Sequence, residues 1–103
     1  FVRPMFYGSK HAIKNISSES NETKNYSVVG YICETDTFSD NVNLKTTKEG
    51  DILCFKNAGA YCFSMSSNYN SRFRPPEVLI SNNQMKLIRK RENFKDLIRN
   101  QTI

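Results

Sequence analysis

The chain has 103 residues, 38% of them hydrophobic, which is about the size of one ordinary domain with a single modest core. Its formal charge of +5 comes from 15 Lys and Arg against 10 Asp and Glu. No window approaches the roughly 18 apolar residues of a membrane helix. An odd number of cysteines beside apolar runs argues against a disulfide framework. We therefore expect one soluble, cytoplasmic domain over residues 1–103, with no membrane partner.

The first half of the chain predicts a helical turn and two strands. Irregular apolar residues over 5–13 favour a short helical turn that leads into a strand, and the polar residues 14–24 favour a loop. Residues 26–33 are β-branched, aromatic and nearly continuously apolar, which predicts a mostly buried strand. After a polar interval, Glu49-Gly50-Asp51 predicts a turn and residues 52–55 a second short strand.

The second half predicts a turn, a short helix and a hairpin. The small residues of Ala58-Gly59-Ala60-Tyr61 allow a close turn, and residues 62–68 lack the alternation of a strand, so we expect a short helix there. Two apolar runs, 77–80 and 85–90, flank the turn-forming residues 81–83. This arrangement predicts a β-hairpin.

A terminal helix is predicted from its capping residues. Asn93 is a plausible N-cap with Asp96 three residues later, and Phe94, Leu97 and Ile98 share one helical face that could pack on a sheet. Short strands with turn punctuation and brief helices together predict a mainly β domain, a barrel or a sandwich.

Five blocks of residues stand out in order along nearly the whole chain. They are Arg3-Pro4-Met5-Phe6-Tyr7 with His11, Gly30-Tyr31-Ile32-Cys33-Glu34-Thr35-Asp36, Glu49-Gly50-Asp51, Ala58-Gly59-Ala60-Tyr61 with residues 63–72, and Leu87-Ile88-Arg89-Lys90-Arg91-Glu92. The most specific are the Cys-Glu pair and the Ala-Gly-Ala-Tyr block with the Phe-Ser-Met-Ser-Ser-Asn-Tyr-Asn run. Together the blocks closely resemble the C-terminal domain of bacterial diaminopimelate decarboxylases.

The resemblance implies the C-terminal β-domain of a fold-type III pyridoxal-phosphate enzyme of the alanine-racemase-like class. In that family a separate TIM-like barrel holds the cofactor on a lysine, and the active site lies at a homodimer interface. The implied activity is conversion of meso-2,6-diaminopimelate to L-lysine and carbon dioxide, a step of lysine biosynthesis. Because the barrel is absent from these residues, we expect a piece of a longer chain without decarboxylase activity of its own.

The resemblance also implies a role for each of five residues. Cys33 falls on the proton donor and Glu34 on the acidic substrate ligand, and in the family both are lent across the interface to the neighbouring protomer. Arg3 and Tyr7 fall on the clamp for a substrate carboxylate. Tyr61 falls on the tyrosine that contacts both cofactor and substrate. No metal site is implied.

These residue types suit the chemistry independently of the resemblance. Loss of carbon dioxide leaves a carbanionic carbon that must be reprotonated on one face, and a thiol such as Cys33 is a workable acid near neutral pH. The distant amino-acid centre of the substrate carries an ammonium and a carboxylate. Glu34 and Arg3 supply the two opposite charges.

Each residue also has a purely structural interpretation. Outside the motif, Cys33 would be a core residue, as we expect Cys54 to be. Tyr61 would be a core aromatic, Tyr7 would be a packing residue and Arg3 would be a surface charge. We interpret His11 as structural, and Cys62 stands where the family often has glycine.

Three alternatives stay open from the sequence. Related decarboxylases of ornithine, arginine or carboxynorspermidine share the fold, although they commonly resemble Cys-Asp where this chain has Cys33-Glu34. The domain could also be a non-catalytic binding or dimerisation module. A basic nucleic-acid module is disfavoured, because Glu92 and Asp96 interrupt the basic stretch, and we expect no nucleic-acid partner.

Overall fold

The computed structural model describes residues 1–32 and 37–102 and divides into two compact units, Phe1–Cys62 and a second that begins at Phe63. The described chain is mainly sheet with two short helices, as predicted. That residues 1–103 fold as one domain stays a prediction. The elements of the first unit are α1 (Arg3–Tyr7), β1 (Ile13–Asn15), β2 (Thr23–Val29), β3 (Thr37–Lys45) and β4 (Leu53–Phe55). Those of the second are a 3-10 turn (Tyr69–Ser71), β5 (Glu77–Ser81), β6 (Gln84–Arg89) and α2 (Phe94–Ile98).

Two antiparallel strand pairs build the first unit. β1 pairs with β4 and β2 pairs with β3. Because successive side chains of a strand point to opposite faces, one face of these pairs directs Ile13, Val28 and Leu44 into a small core. Half-buried apolar side chains pack around these three, namely Tyr26, Phe38, Val42, Leu53 and Phe55.

β3 lies in the polar interval of the sequence, where no strand is predicted. Six of the nine residues of the strand are polar, and its apolar residues Phe38, Val42 and Leu44 occupy alternate positions on a face that Asp40 interrupts. Asn41 has a φ of 54°, in a stretch where the register with β2 shifts. This irregularity hides the two-residue period from sequence reasoning.

The burial expected for the strand at 26–33 is also wrong over its described part. β2 covers Thr23–Val29, and Val28 is its one buried residue, because a two-stranded sheet leaves its second face open to solvent. The predicted end of that strand, Cys33, lies outside the described residues. Cys54 is half-buried rather than in the core, in a strand of three residues. The predicted loop is also shorter than 14–24, because β1 and β2 extend into it.

The predicted turn at 49–51 is confirmed, and a buried asparagine holds it. The Asp51 N–H donates to the Lys48 carbonyl, and Gly50 has a φ of 90° that favours glycine. Asn15 Nδ2 donates to Asp51 Oδ2 at 2.8 Å, while Asn15 Oδ1 accepts from the backbone of Ser18 at 2.8 Å. The bond from Asn15 is the main cause that lowers the pKa of Asp51, followed by the Lys48 N–H.

The predicted hairpin at 77–90 is confirmed in the second unit. β5 pairs with β6 around Asn82-Asn83, and both asparagines have positive φ, 51° and 58°. Positive φ at both central residues is typical of a type I′ turn, and asparagine tolerates it better than most residues do. Ile80 lies opposite Met85 and Val78 opposite Leu87.

The terminal helix is confirmed, while the helix expected over 62–68 is wrong. Asn93 accepts from the Lys95 N–H, and the Asp96 side chain accepts from the Asn93 N–H, which completes a capping box. None of the residues of α2 is buried. Residues 61–65 form turns instead of a helix, and the 3-10 turn comes later, at Tyr69–Ser71. No helix among the described residues is long and apolar enough to cross a membrane.

Candidate functional site

Three of the five predicted site residues lie in the described part of the first unit. They are Arg3 and Tyr7 on α1 and Tyr61 beyond β4. Cys33 and Glu34 lie outside the described residues, so their predicted roles stay predictions.

Local sequence explains how α1 presents Arg3 and Tyr7. Pro4 stands in the first turn, where its fixed φ suits a helix start and its missing N–H costs no intrahelical bond. Gly8 ends the helix with a φ of 61°, and its N–H donates to the Pro4 carbonyl at 2.9 Å. Because Arg3 and Tyr7 are four residues apart on a helix, their side chains share one face.

Tyr61 reaches the same place from a different part of the unit. After β4 ends at Phe55, Asn57 adopts a φ of 54° and turns the chain. Tyr61 itself has a φ of 66°, which is unusual for an aromatic residue. The Ala58–Tyr61 block thus places the Tyr61 ring beside α1 in a left-handed backbone conformation that most residues adopt only at an energetic cost.

The guanidinium of Arg3 lies against both tyrosine rings. Its central carbon is 5.0 Å from the Tyr61 ring centroid and 5.6 Å from that of Tyr7, which is cation–π distance. Tyr7 is 66% exposed and Tyr61 61% exposed. The structural interpretation of Tyr61 as a core aromatic is therefore wrong. Arg3, Tyr7 and Tyr61, which we call the arginine–tyrosine cluster, bring one half-buried guanidinium against two exposed tyrosine rings.

Cys62 is the described thiol nearest the cluster in sequence. It is half-buried, and burial raises its pKa, although the N-terminus and Arg3 act in the opposite direction. Desolvation therefore outweighs the two positive charges and favours the protonated thiol.

His11 makes a contact that sequence reasoning missed. Its Nδ1 lies 3.0 Å from the Lys56 carbonyl oxygen, and the Phe1 ring meets its ring edge-on at 4.8 Å between centroids. The available signal was the position of His11 at the end of the Arg-Pro block, four residues after Tyr7.

In the second unit, the carboxylate of Glu92 accepts hydrogen bonds from Arg74 and Asn68, and we call these three residues the Glu92 node. Glu92 accepts from the Arg74 N–H at 2.9 Å, from Arg74 Nε at 2.6 Å and from Asn68 Nδ2 at 2.7 Å. These bonds lower the pKa of Glu92 from its ordinary 4.5 to about 2, the Arg74 N–H contributing most. Asn68 also donates to the Arg72 carbonyl, so the node closes the 3-10 turn.

The charges of the described residues show no other obvious site. Arg89 pairs with Glu77 and lies 4.0 Å from the Phe63 ring centroid, so part of the basic stretch is engaged locally. Within residues 1–32 and 37–102, no three His, Cys, Asp or Glu side chains are grouped to hold a metal ion.

The fold and the arginine–tyrosine cluster define the class: a sheet domain with a surface suited to carboxylate or phosphate groups. The sequence profile of the pyridoxal-dependent decarboxylase C-terminal sheet domain matches residues 1–59. The chain belongs to this family.

Relatives of known name agree with that assignment. Diaminopimelate decarboxylase of Methanothermobacter thermautotrophicus is 44% identical over 99% of this chain and 24% of its own length. The Campylobacter jejuni enzyme of the same name is 44% identical over 94% of this chain and 24% of its own. The chain therefore spans about a quarter of these relatives.

Solved structures give the same result at the level of the fold. Diaminopimelate decarboxylase of M. jannaschii in complex with L-lysine has a TM-score of 0.92 at 39% identity, over 99% of this chain and 24% of that one. The Helicobacter pylori enzyme complexed with L-lysine has a TM-score of 0.86 at 40% identity, over 96% of this chain and 25% of that one.

Proposed function

We propose that this chain is the substrate-binding sheet domain of a diaminopimelate decarboxylase, which releases carbon dioxide from meso-2,6-diaminopimelate and yields L-lysine. The observation that carries the proposal is the arginine–tyrosine cluster, in which two segments more than 50 residues apart converge on one half-buried guanidinium. The relatives of that name support the choice of substrate.

The residues of the cluster fit a pyridoxal-phosphate enzyme. A guanidinium beside two exposed phenol groups suits an anionic group, either a substrate carboxylate or a cofactor phosphate. In this proposal Arg3 and Tyr7 bind the substrate carboxylate, and Tyr61 contacts substrate and cofactor. The cofactor, when bound, supplies the electron sink that makes loss of carbon dioxide possible.

In the proposed homodimer, the chain's other assigned residues complete the site of the neighbouring protomer. Cys33 donates the proton that replaces the departing carboxylate, so one face of the substrate is reprotonated. Glu34 accepts the ammonium of the distant amino-acid centre. Arg3 then binds the carboxylate and Glu34 the ammonium of the second amino-acid centre. Ornithine has no carboxylate at that end.

The proposed enzyme needs partners. We use "complete enzyme" for this chain joined to a pyridoxal-binding barrel, acting as a cytoplasmic homodimer. Support comes from the hairpin face formed by Val78, Ile80, Met85 and Leu87, whose members are all at least 50% exposed. An apolar face of this kind is usually covered by another protein surface.

A substrate panel tests the proposed function. The complete enzyme should form lysine from diaminopimelate and should act at least about 100-fold more slowly, in kcat/KM, on ornithine and arginine, which lack the second carboxylate. Equal or greater activity on ornithine would transfer the chain to the related decarboxylases. Activity on none of the substrates would leave a binding or dimerisation module.

A substitution tests the assignment of the proton donor. Cys33→Ala should lose most of kcat while the cofactor absorbance stays, because the thiol acts after substrate and cofactor have joined. Cys54→Ala is the matched control, since that thiol lies on β4 and should leave kcat within about twofold. An unchanged kcat in Cys33→Ala would remove the thiol from the reaction.

A further inference from the structure

The imidazole of His11 extends the β1–β4 ladder beyond its last strand residues. Ile13 pairs with Phe55, and the Lys56 N–H donates to the Ala12 carbonyl at 2.8 Å. The Lys56 carbonyl then accepts from His11 Nδ1 at 3.0 Å. A side chain thus makes the contact that follows the last backbone hydrogen bond between the two segments.

The two segments joined by this bond are those that carry the arginine–tyrosine cluster. His11 follows Gly8, which ends α1 and its residues Arg3 and Tyr7. Lys56 precedes Asn57, where the chain turns towards Tyr61. We propose that His11 is a positioning residue for substrate binding, which fixes α1 relative to the Tyr61 segment through Nδ1. This inference rests on the proposed function.

The surroundings of Nε2, the other ring nitrogen, support a role for His11 through Nδ1. A carbonyl oxygen only accepts, so the bond to Lys56 requires the proton on Nδ1. Nε2 is buried and has no hydrogen-bond partner among the described residues, and the Phe1 ring packs against the imidazole. Because Nε2 is shielded from solvent, we assign the role of His11 to its Nδ1 side rather than to contact with a substrate.

Replacing His11 with asparagine or with glutamine distinguishes the contribution of Nδ1 from that of Nε2. In His11→Asn the amide nitrogen stands near the position of Nδ1, whereas in His11→Gln it stands near that of Nε2. We expect Gln to raise KM for diaminopimelate about tenfold in the complete enzyme, with kcat within about twofold, since one hydrogen bond that positions the cluster is lost. Asn should keep KM within about threefold of the unsubstituted enzyme. Rescue by Asn alone identifies the Nδ1 bond.

A measurement without any substitution checks the same bond. Nitrogen-15 NMR of the His11 ring, at a pH where the ring is neutral, should report a protonated Nδ1 and a bare Nε2. Free histidine in water prefers the opposite tautomer, so the expected signal is diagnostic. This measurement stands even where a variant folds poorly, and it needs no enzymatic activity.

Each contrary outcome has a distinct meaning. Rescue by Gln but not Asn, or a protonated Nε2 in the neutral ring, would overturn the inference and assign the function to Nε2. Equal KM values for all three enzymes would show that the bond positions nothing. Failure of the proposed function differs from both, because the unsubstituted complete enzyme would then form no lysine.

Discussion

At the scale of single residues, Tyr61 combines an exposed ring with left-handed backbone. Its φ of 66° is a conformation that costs an L-residue about 1 kcal/mol and glycine almost nothing. We therefore predict that Tyr61→Gly is more stable than Tyr61→Ala by about 1 kcal/mol, since both remove the ring but only glycine removes the strain. Urea unfolding of the two variants measures the difference.

An ordinary strand position provides the control for Tyr61. Lys24 is exposed in β2, where glycine should be less stable than alanine by about 0.5 kcal/mol or more. An alanine variant at position 61 as stable as the glycine variant would show that the backbone there relaxes. That result would contradict the claim that the backbone of Tyr61 is strained where its ring lies against Arg3.

The site is only partly readable from the sequence at this scale. The Arg-Pro and Ala-Gly-Ala-Tyr blocks marked Arg3, Tyr7 and Tyr61 through family resemblance, and residue chemistry alone favoured packing for the tyrosines. Their exposure depends on a helix cap at Gly8 and a left-handed turn at Asn57, which propensities do not specify at single positions. The contact of His11 joins positions 45 residues apart, so the place of His11 at the end of the Arg-Pro block signals a role but does not identify Lys56 as the partner.

At the scale of elements, the Glu92 node makes a pH-dependent contribution to stability. Because folding lowers the pKa of Glu92 from 4.5 to about 2, the folded chain binds fewer protons than the unfolded chain between those values. The contribution is fully present above about pH 4.5 and is lost as the pH falls towards about 2. We predict that Glu92→Gln reduces the pH dependence of unfolding in this window.

The control for Glu92→Gln is the same substitution at a carboxylate outside the Glu92 node. Glu19 is exposed in the loop between β1 and β2, and Glu19→Gln should leave the pH dependence as it is. Urea unfolding at several pH values between about 2 and about 5 gives the slopes. Equal slopes for Glu92→Gln and the unsubstituted protein would contradict a carboxylate held ionised by Arg74 and Asn68.

The hairpin makes a second prediction at this scale. Met85 is 80% exposed on the apolar face, whereas Lys86 points from the opposite face of β6. If the pyridoxal-binding barrel covers the apolar face, Met85→Asp destabilises the complete enzyme by about 2 kcal/mol or more, because a charge is buried there. Lys86→Asp should change stability by less than about 0.5 kcal/mol.

Thermal unfolding of the complete enzyme compares the two hairpin variants. Equal melting temperatures would mean that the apolar face stays in solvent. A loss of dimer without a change in the barrel contacts would instead assign the face to a second copy of the chain.

The elements differ in how far sequence patterns predict them. The hairpin and α2 were predicted because turn residues and a capping box are local signals, with Asn82, Asn83 and Asn93 at the decisive positions. β3 was missed because its pairing with β2 is non-local and its polar residues obscure the period. Residues 62–68 lack a helix because no capping or apolar period supports one there.

At the scale of the whole molecule, we propose that the chain contributes a binding surface rather than a complete reaction centre. Among the described residues, the half-buried guanidinium of Arg3 lies against two exposed tyrosine rings. The assigned acid and carboxylate, Cys33 and Glu34, serve the site of the neighbouring protomer in this proposal. Among the described residues, the small core of three buried apolar side chains and the open hairpin face fit a domain that functions against other protein surfaces. We therefore propose that this domain binds and protonates the substrate, and that the barrel holds the cofactor.

The most direct test of this account is the effect of Arg3 on substrate affinity in the complete enzyme. Arg3→Gln should raise KM for diaminopimelate by about 10- to 100-fold, since a charge-assisted contact to a carboxylate is lost, while the exposed control Arg91→Gln should leave KM within about twofold. An Arg3→Gln enzyme with unchanged KM would contradict the claim that the arginine–tyrosine cluster binds the substrate.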